Sequence, residues 1–206
     1  MNTQLKITDK DKLVKDSIKK AMSYDQFKEE IKNHVNNGTS SGPYQSEALA
    51  NYTTLTHARL KRLDKTLTLP QKVIDIATQF KGNQTWLVLT ESWCGDAAHA
   101  MPVLKKITDL TKHITFKVLY RDKNLDLMNA FLTNGTMSIP KLIVFDNNTQ
   151  KIVGDWGPSP SYVFKKTQEF KTKYGKLTPD FKKEMQQWYN KDKGQTIVQD
   201  LVQFLY

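Results

Sequence analysis

The chain has one cysteine in 206 residues, Cys94, and that scarcity excludes more chemistry than any other feature. A lone thiol builds no internal disulfide framework and no thiolate zinc site. The histidines His34, His57, His99 and His113 have no ligand-like spacing, so no metal and no other cofactor is expected. Long apolar runs are also missing. Trp86–Leu89 and Leu142–Phe145 are far too short to cross a bilayer, which argues against a membrane partner. The stretch Met1 to Asp9 has no apolar segment of the kind that serves as a secretion signal. With the single cysteine, this makes the cytoplasm the expected location. Internal repeats and low-complexity tracts are absent as well.

What is present describes a soluble domain able to bury a core, at 38% hydrophobic and 25% charged residues. Lys and Arg number 31 against 21 Asp and Glu, a formal charge of +10. The basic residues are interspersed with acids, as in Lys10-Asp11-Lys12 and Asp192-Lys193, which fits a solvated surface and argues against nucleic acid as a partner. Arg59-Leu60-Lys61-Arg62 could bind an anion. It is better read as a helix face that packs Leu60 and Leu63 while its charges stay wet.

Helical spacing of Leu13, Ile18, Met22, Phe27, Ile31 and Val35 predicts one helix over 9–36, followed by a flexible loop at Asn37 to Pro43. A second helix is expected from about Gln45 to Arg62, and a third from Pro70 to near Gly82. The pattern then changes. Trp86–Thr90 predicts a buried strand, Cys94 to about Lys112 a helix, Ile114–Tyr120 a strand, and Leu125–Leu132 a helix. Lys141–Phe145 and a region near Lys151–Val153 form a hairpin across Asp146-Asn147-Asn148. Beyond Ser161 the chain is helical, with breaks at Leu177-Thr178-Pro179 and Lys193-Gly194. Trp188-Tyr189 and Phe204-Leu205-Tyr206 are expected to cover the core. The order implies an α/β fold with a mixed sheet flanked by helices.

Cys94 lies where a strand gives way to a helix, a usual place for a redox-active nucleophile, and Ala97 stands where a Cys-X-X-Cys pair would have its second thiol. Unpaired N–H groups at a helix start stabilise a thiolate, the nucleophile in disulfide exchange. Gly95 allows close approach of a substrate backbone. Asp96 opposes the effect, because a carboxylate beside the sulfur disfavours thiolate. His99, five residues on, falls on a different helical face and is expected at the surface or partly buried rather than as a catalytic base.

Trp93-Cys94-Gly95, Pro102 eight residues after Cys94, Ile139-Pro140 leading into Lys141–Phe145, Trp156-Gly157 and Lys193-Gly194-Gln195 occur in an order that resembles the thioredoxin superfamily. The segments Glu91-Ser92-Trp93-Cys94-Gly95-Asp96-Ala97-Ala98, Arg59 to Lys65 and Trp156-Gly157-Pro158 resemble more narrowly a branch of bacterial thioredoxin-family proteins. The resemblance implies a thioredoxin-like domain over 67–206 with a helical insertion at about 159–192, preceded by a helical N-terminal extension over 1–66 packed on the core. It implies a cis bond before Pro140, a kink at Pro102, and Trp93, Ile139, Pro140 and Trp156 as an apolar rim around Cys94. Cys94 would then be the nucleophile, with Trp93, Gly95, Asp96, Ile139, Pro140, Trp156 and Gly157 binding the substrate.

Two departures bear on activity. No second cysteine can resolve a mixed disulfide, so a protein or low-molecular-weight thiol must do it. Val88 stands where thioredoxin carries a buried Asp, and Glu91 is the nearest carboxylate on the strand side. The expected function is therefore monothiol thiol-disulfide exchange. The alternatives are a redox-inactive peptide- or protein-binding module and regulation through an intermolecular Cys94–Cys94 disulfide.

Overall fold

A computed structural model describes residues 7–206. Its centre is a four-stranded sheet of β1 (Gln84–Thr90), β2 (Ile114–Tyr120), β3 (Lys141–Asp146) and β4 (Lys151–Trp156), in the order β2-β1-β3-β4. β1 runs parallel to β2 and antiparallel to β3, and β4 returns antiparallel to β3. Every residue of β1 is buried, as expected of a strand covered on both faces. The architecture is the anticipated mixed α/β sheet flanked by helices.

The predicted helix over 9–36 is in fact two, α1 (Ile7–Ile18) and α2 (Tyr24–Asn37). Two local causes divide them. Ser23 caps α2 in a reciprocal capping box with Gln26, and Met22 leaves the helical path to exchange backbone bonds with Val118 of β2 at 3.0 and 2.9 Å. That bridge covers the outer edge of β2, which would otherwise present unpaired backbone groups.

Two further helices follow, α3 (Glu47–Thr66) and α4 (Gln71–Gln79). The front of the chain shares its core with the sheet: Val14, Tyr24, Phe27, Ile31 and Leu60 belong to the same hydrophobic cluster as Trp86, Val118 and Leu142. Tyr24 stacks on Phe116 and Phe27 tilts against Tyr120, with centroids 5.7 and 5.9 Å apart. A side chain as deeply buried as Phe27 or Ile31 contributes about 1.5–3 kcal/mol.

After β1 comes α5 (Gly95–Thr108), with Pro102 inside it, and after β2 a 3-10 turn and the short α6 (Leu125–Ala130). The C-terminal part is α7 (Ser161–Tyr174), α8 (Pro179–Asp192) and α9 (Gln195–Leu201). Val163, Phe181, Met185 and Tyr189 of α7 and α8 form a small cluster of their own, distinct from the main core, whereas α9 packs Ile197, Val198 and Leu201 into the latter. Phe204 meets Trp86 edge-on, but Tyr206 is exposed rather than covering the core. No described helix is long and apolar enough to cross a membrane.

Asp11 ties α1 to the far edge of the sheet. Its carboxylate accepts from Lys151 at 2.8 Å and from the Ile152 amide at 2.9 Å. Burial works against the charge, but these two donors outweigh it and hold the pKa below the ordinary carboxylate range. Asp11→Ala is expected to lower the unfolding free energy by about 1–2 kcal/mol, read as a shift in denaturant midpoint. Because the folded pKa is the lower one, the contribution is present above the unfolded value of ~3.9 and fades as pH falls through the folded value. An unchanged midpoint at neutral pH would show that this contact does not secure α1.

Candidate functional site

β1 is followed by Glu91-Ser92-Trp93-Cys94, and Cys94 is the N-cap of α5, with φ −76° and ψ 109°. Its sulfur accepts the Ala97 N–H at 3.5 Å and its thiol points to the Ile139 carbonyl oxygen, also at 3.5 Å. The Ile139–Pro140 bond is cis. Gly157, at φ +117°, lies so close to Pro140 that a β-carbon there would run into the Pro140 carbonyl. The structure thus gathers Cys94, Gly95, Asp96, Ile139, Pro140 and Gly157 at one end of the sheet.

The two tryptophans are each anchored through the indole N–H. Trp93 is partly exposed, carries the Arg121 guanidinium 5.3 Å above its ring, and donates its indole N–H to the Ser41 carbonyl at 3.3 Å. The Trp156 indole is bonded to Asp200 of α9 at 3.0 Å, so at that loop it is the Gly157 backbone that reaches Pro140.

Cys94 is only 5% exposed. Burial, and then the neighbouring Asp96 carboxylate, push its pKa up to about 12, against the opposing Ala97 amide. Asp96 is itself raised by burial, although Tyr189 and the Arg59 charge favour its ionised form. The resting sulfur is therefore a protonated thiol.

Three contributors were not placed at this site by the sequence. Tyr189 of α8 donates its hydroxyl to Asp96 at 2.5 Å and stacks on His99 with centroids 4.2 Å apart and planes within 9°. Rather than lying at the surface, His99 is 4% exposed; burial, followed by the Arg59 and Arg62 charges, drops its pKa to about 3. Arg59 of α3 places Nη1 over Gly95, 3.6 Å from where a β-carbon would stand.

The third is Ser41, in a segment expected to be flexible. It is buried, its N–H donates to Ser92 Oγ at 2.8 Å, and its hydroxyl accepts the Ser92 N–H at 2.7 Å and donates to Glu91. The Gln45 side chain braces the loop through Ser40 and Gly42. Glu91 accepts the Asp122 N–H at 2.9 Å and is raised by burial. It supports the loop rather than the thiol. Thr53 bonds Ser92 and Thr56 reaches the Cys94 carbonyl, so α3 grips the same turn from the other side.

A thioredoxin family model matches residues 42–171. Among solved structures, a protein of unknown function from Pseudomonas aeruginosa superimposes with a TM-score of 0.57 at 15% identity, over 88% of this chain and 95% of that one. An HIV epitope-scaffold superimposes with a TM-score of 0.48 at 17% identity, over 69% of this chain and 81% of that one. Comparison with curated proteins finds no match.

The electrostatics of the thiol generate a direct test. In Asp96→Asn, the midpoint of the pH dependence of Cys94 alkylation is expected to fall from about 12 toward the ~8.5 of a free thiol, without reaching it while burial persists. An unmoved midpoint would exclude Asp96 as a cause of the high pKa.

Proposed function

The chain belongs to the thioredoxin family, and we propose that it carries out monothiol thiol-disulfide exchange through Cys94, with the thiol kept closed at rest by Tyr189 of α8. The observation that carries this reading is the placement of Sγ at the start of α5, on the Ala97 N–H and beside cis-Pro140.

The chemistry balances with one protein thiol. Cys94 releases its proton to solvent, and its thiolate attacks one sulfur of a disulfide. The old S–S bond breaks, a mixed disulfide forms, and one thiolate leaves. A second thiolate attacks the mixed disulfide on the substrate sulfur, forming a new disulfide and returning Cys94. No net oxidation or reduction occurs across the cycle. A protein with no second cysteine suits this route, and a reducing compartment such as the cytoplasm would supply the second thiol. Ile139 and Pro140 would align the partner backbone, and Trp93, Gly95 and Gly157 would border it.

A second reading, a redox-inactive binding module, draws on one observation. The Ile139 carbonyl already receives the Cys94 thiol, and an extended peptide could take that acceptor without any exchange. The two separate cleanly. With bis(2-hydroxyethyl) disulfide and an excess reducing thiol, exchange should disappear in Cys94→Ser. Tyr189→Phe, which keeps the ring and removes the hydroxyl, should speed Cys94 alkylation by about tenfold, the worth of one hydrogen bond to a charged group. Full turnover in Cys94→Ser would overturn the exchange reading. Peptide binding retained in that variant, with no turnover in the native protein, would establish the binding module.

A further inference from the structure

Between them, α3 and α8 leave a cleft of about 230 Å³ lined by Arg62, Leu63, Leu67, Tyr189, Asn190 and Lys193. Its rim is basic. Arg59 and Arg62 sit one turn apart on α3, and Lys193 closes α8 in the left-handed conformation at φ +51°. Among the described residues, none of the three has a carboxylate within ion-pair distance. Arg62 has only a long 3.5 Å bond to Asn190.

This is unlike the other basic side chains near buried structure. Lys28, Lys141 and Lys151 each hold an Asp partner at 3.0 Å or less. Arg59 is half-buried, and an unpaired cation withdrawn from water is costly. Its own pKa is lowered, first by burial and then by Arg62, which reflects two like charges sharing one space. Asp96 is the carboxylate whose charge Arg59 feels, and it also accepts the Tyr189 hydroxyl. One carboxylate thus faces the two guanidinium groups of Arg59 and Arg62, and positive charge is in excess at this point.

Position and shape restrict what balances it. Arg59 lies over Gly95, next to Cys94, and one helical turn further along α3 Arg62 begins the cleft lining that reaches Lys193. Arg forks bind carboxylates in bidentate fashion. Leu63 and Leu67 give the cleft an apolar side suited to a short carbon chain. The volume admits a small molecule and not a folded partner.

Resting on the monothiol reading, we infer that Arg59 and Arg62, at the edge of this cleft, bind the carboxylate of a low-molecular-weight anionic thiol and so select the thiol that exchanges with Cys94.

The test separates binding from exchange. In Cys94→Ser, mercaptoacetate added at increasing concentration should shift the Arg59 and Arg62 side-chain NMR signals saturably, whereas 2-mercaptoethanol and cysteamine should not. The shifts should be lost in Arg59→Gln/Arg62→Gln, while Arg59→Lys, which keeps the charge without the fork, should bind more weakly than the parent. In the native protein, the Cys94 exchange rate with the disulfide of mercaptoacetate should exceed that with bis(2-hydroxyethyl) disulfide by about tenfold. It should exceed that with cystamine by more, and the ratio should shrink with added salt and in the double variant. Saturable binding of mercaptoacetate without any exchange would support the cleft and defeat the monothiol reading alone. Exchange with no preference among the three disulfides, and no mercaptoacetate shifts, would overturn the cleft and leave the monothiol reading standing.

Discussion

Glu91 and Ser92 follow β1 inside the protein, where no water reaches their polar groups, and Ser41 satisfies most of them at once. Its N–H, hydroxyl and carbonyl serve Ser92, Glu91 and the Trp93 indole. An unpaired polar group at such depth costs about 1–3 kcal/mol, so the knot is stable only when complete. The remaining geometry depends on it. It fixes the turn that delivers Cys94 to the start of α5, and it binds the front of the chain to that turn, so that α3 brings Thr56 and Arg59 alongside the sulfur. The residues before 67 therefore participate in the site as well as in the core.

At Cys94 two influences compete. Helix-start N–H groups favour thiolate, an effect of about 0.3–1 kcal/mol at exposed positions and up to ~2 kcal/mol when partly buried. Burial and Asp96 act in the other direction and win, leaving a pKa of about 12. At neutral pH that corresponds to roughly one ionised thiol in 100,000. The closed arrangement is thus chemically quiet, and the carboxylate that helps quiet it stands in the first turn of α5, where it accepts the Tyr189 hydroxyl of α8.

The parts of the site that were legible in the sequence are those encoded locally. The strand-to-helix step at Cys94 follows from the change of period around it, and the cis Ile139–Pro140 bond and the Trp156-Gly157 loop were implied by short motifs that resemble the thioredoxin superfamily. Ser41, Tyr189 and Arg59 act on residues 51, 93 and 36 positions away, and a serine, a tyrosine and an arginine have ordinary uses everywhere. Only packing gives them their roles. The break at Met22 was obscured for another reason: apolar residues keep a helical period through it, and the pull of the β2 edge is a tertiary effect. The Asn37 to Pro43 loop misled because a polar, glycine-bearing composition is shared by mobile loops and by loops tied down through buried serines.

The distribution of apolar contacts determines how the site can open. α7 and α8 bury Val163, Phe181, Met185 and Tyr189 against one another, and the stack of Tyr162 on Trp188, 4.8 Å between centroids, also lies within that pair. Toward α5 the seam is mainly the Tyr189 hydroxyl on Asp96 and the Tyr189 ring on His99, with Gln186 at 3.4 Å from the same histidine. Parting such a seam costs about 2–4 kcal/mol, since one charged hydrogen bond and one aromatic stack are exchanged for water. Lys193 and Gly194, both at positive φ, form the joint between α8 and α9. Lys193 also lines the cleft together with Arg62, so the same joint sets where that positive charge stands relative to α3.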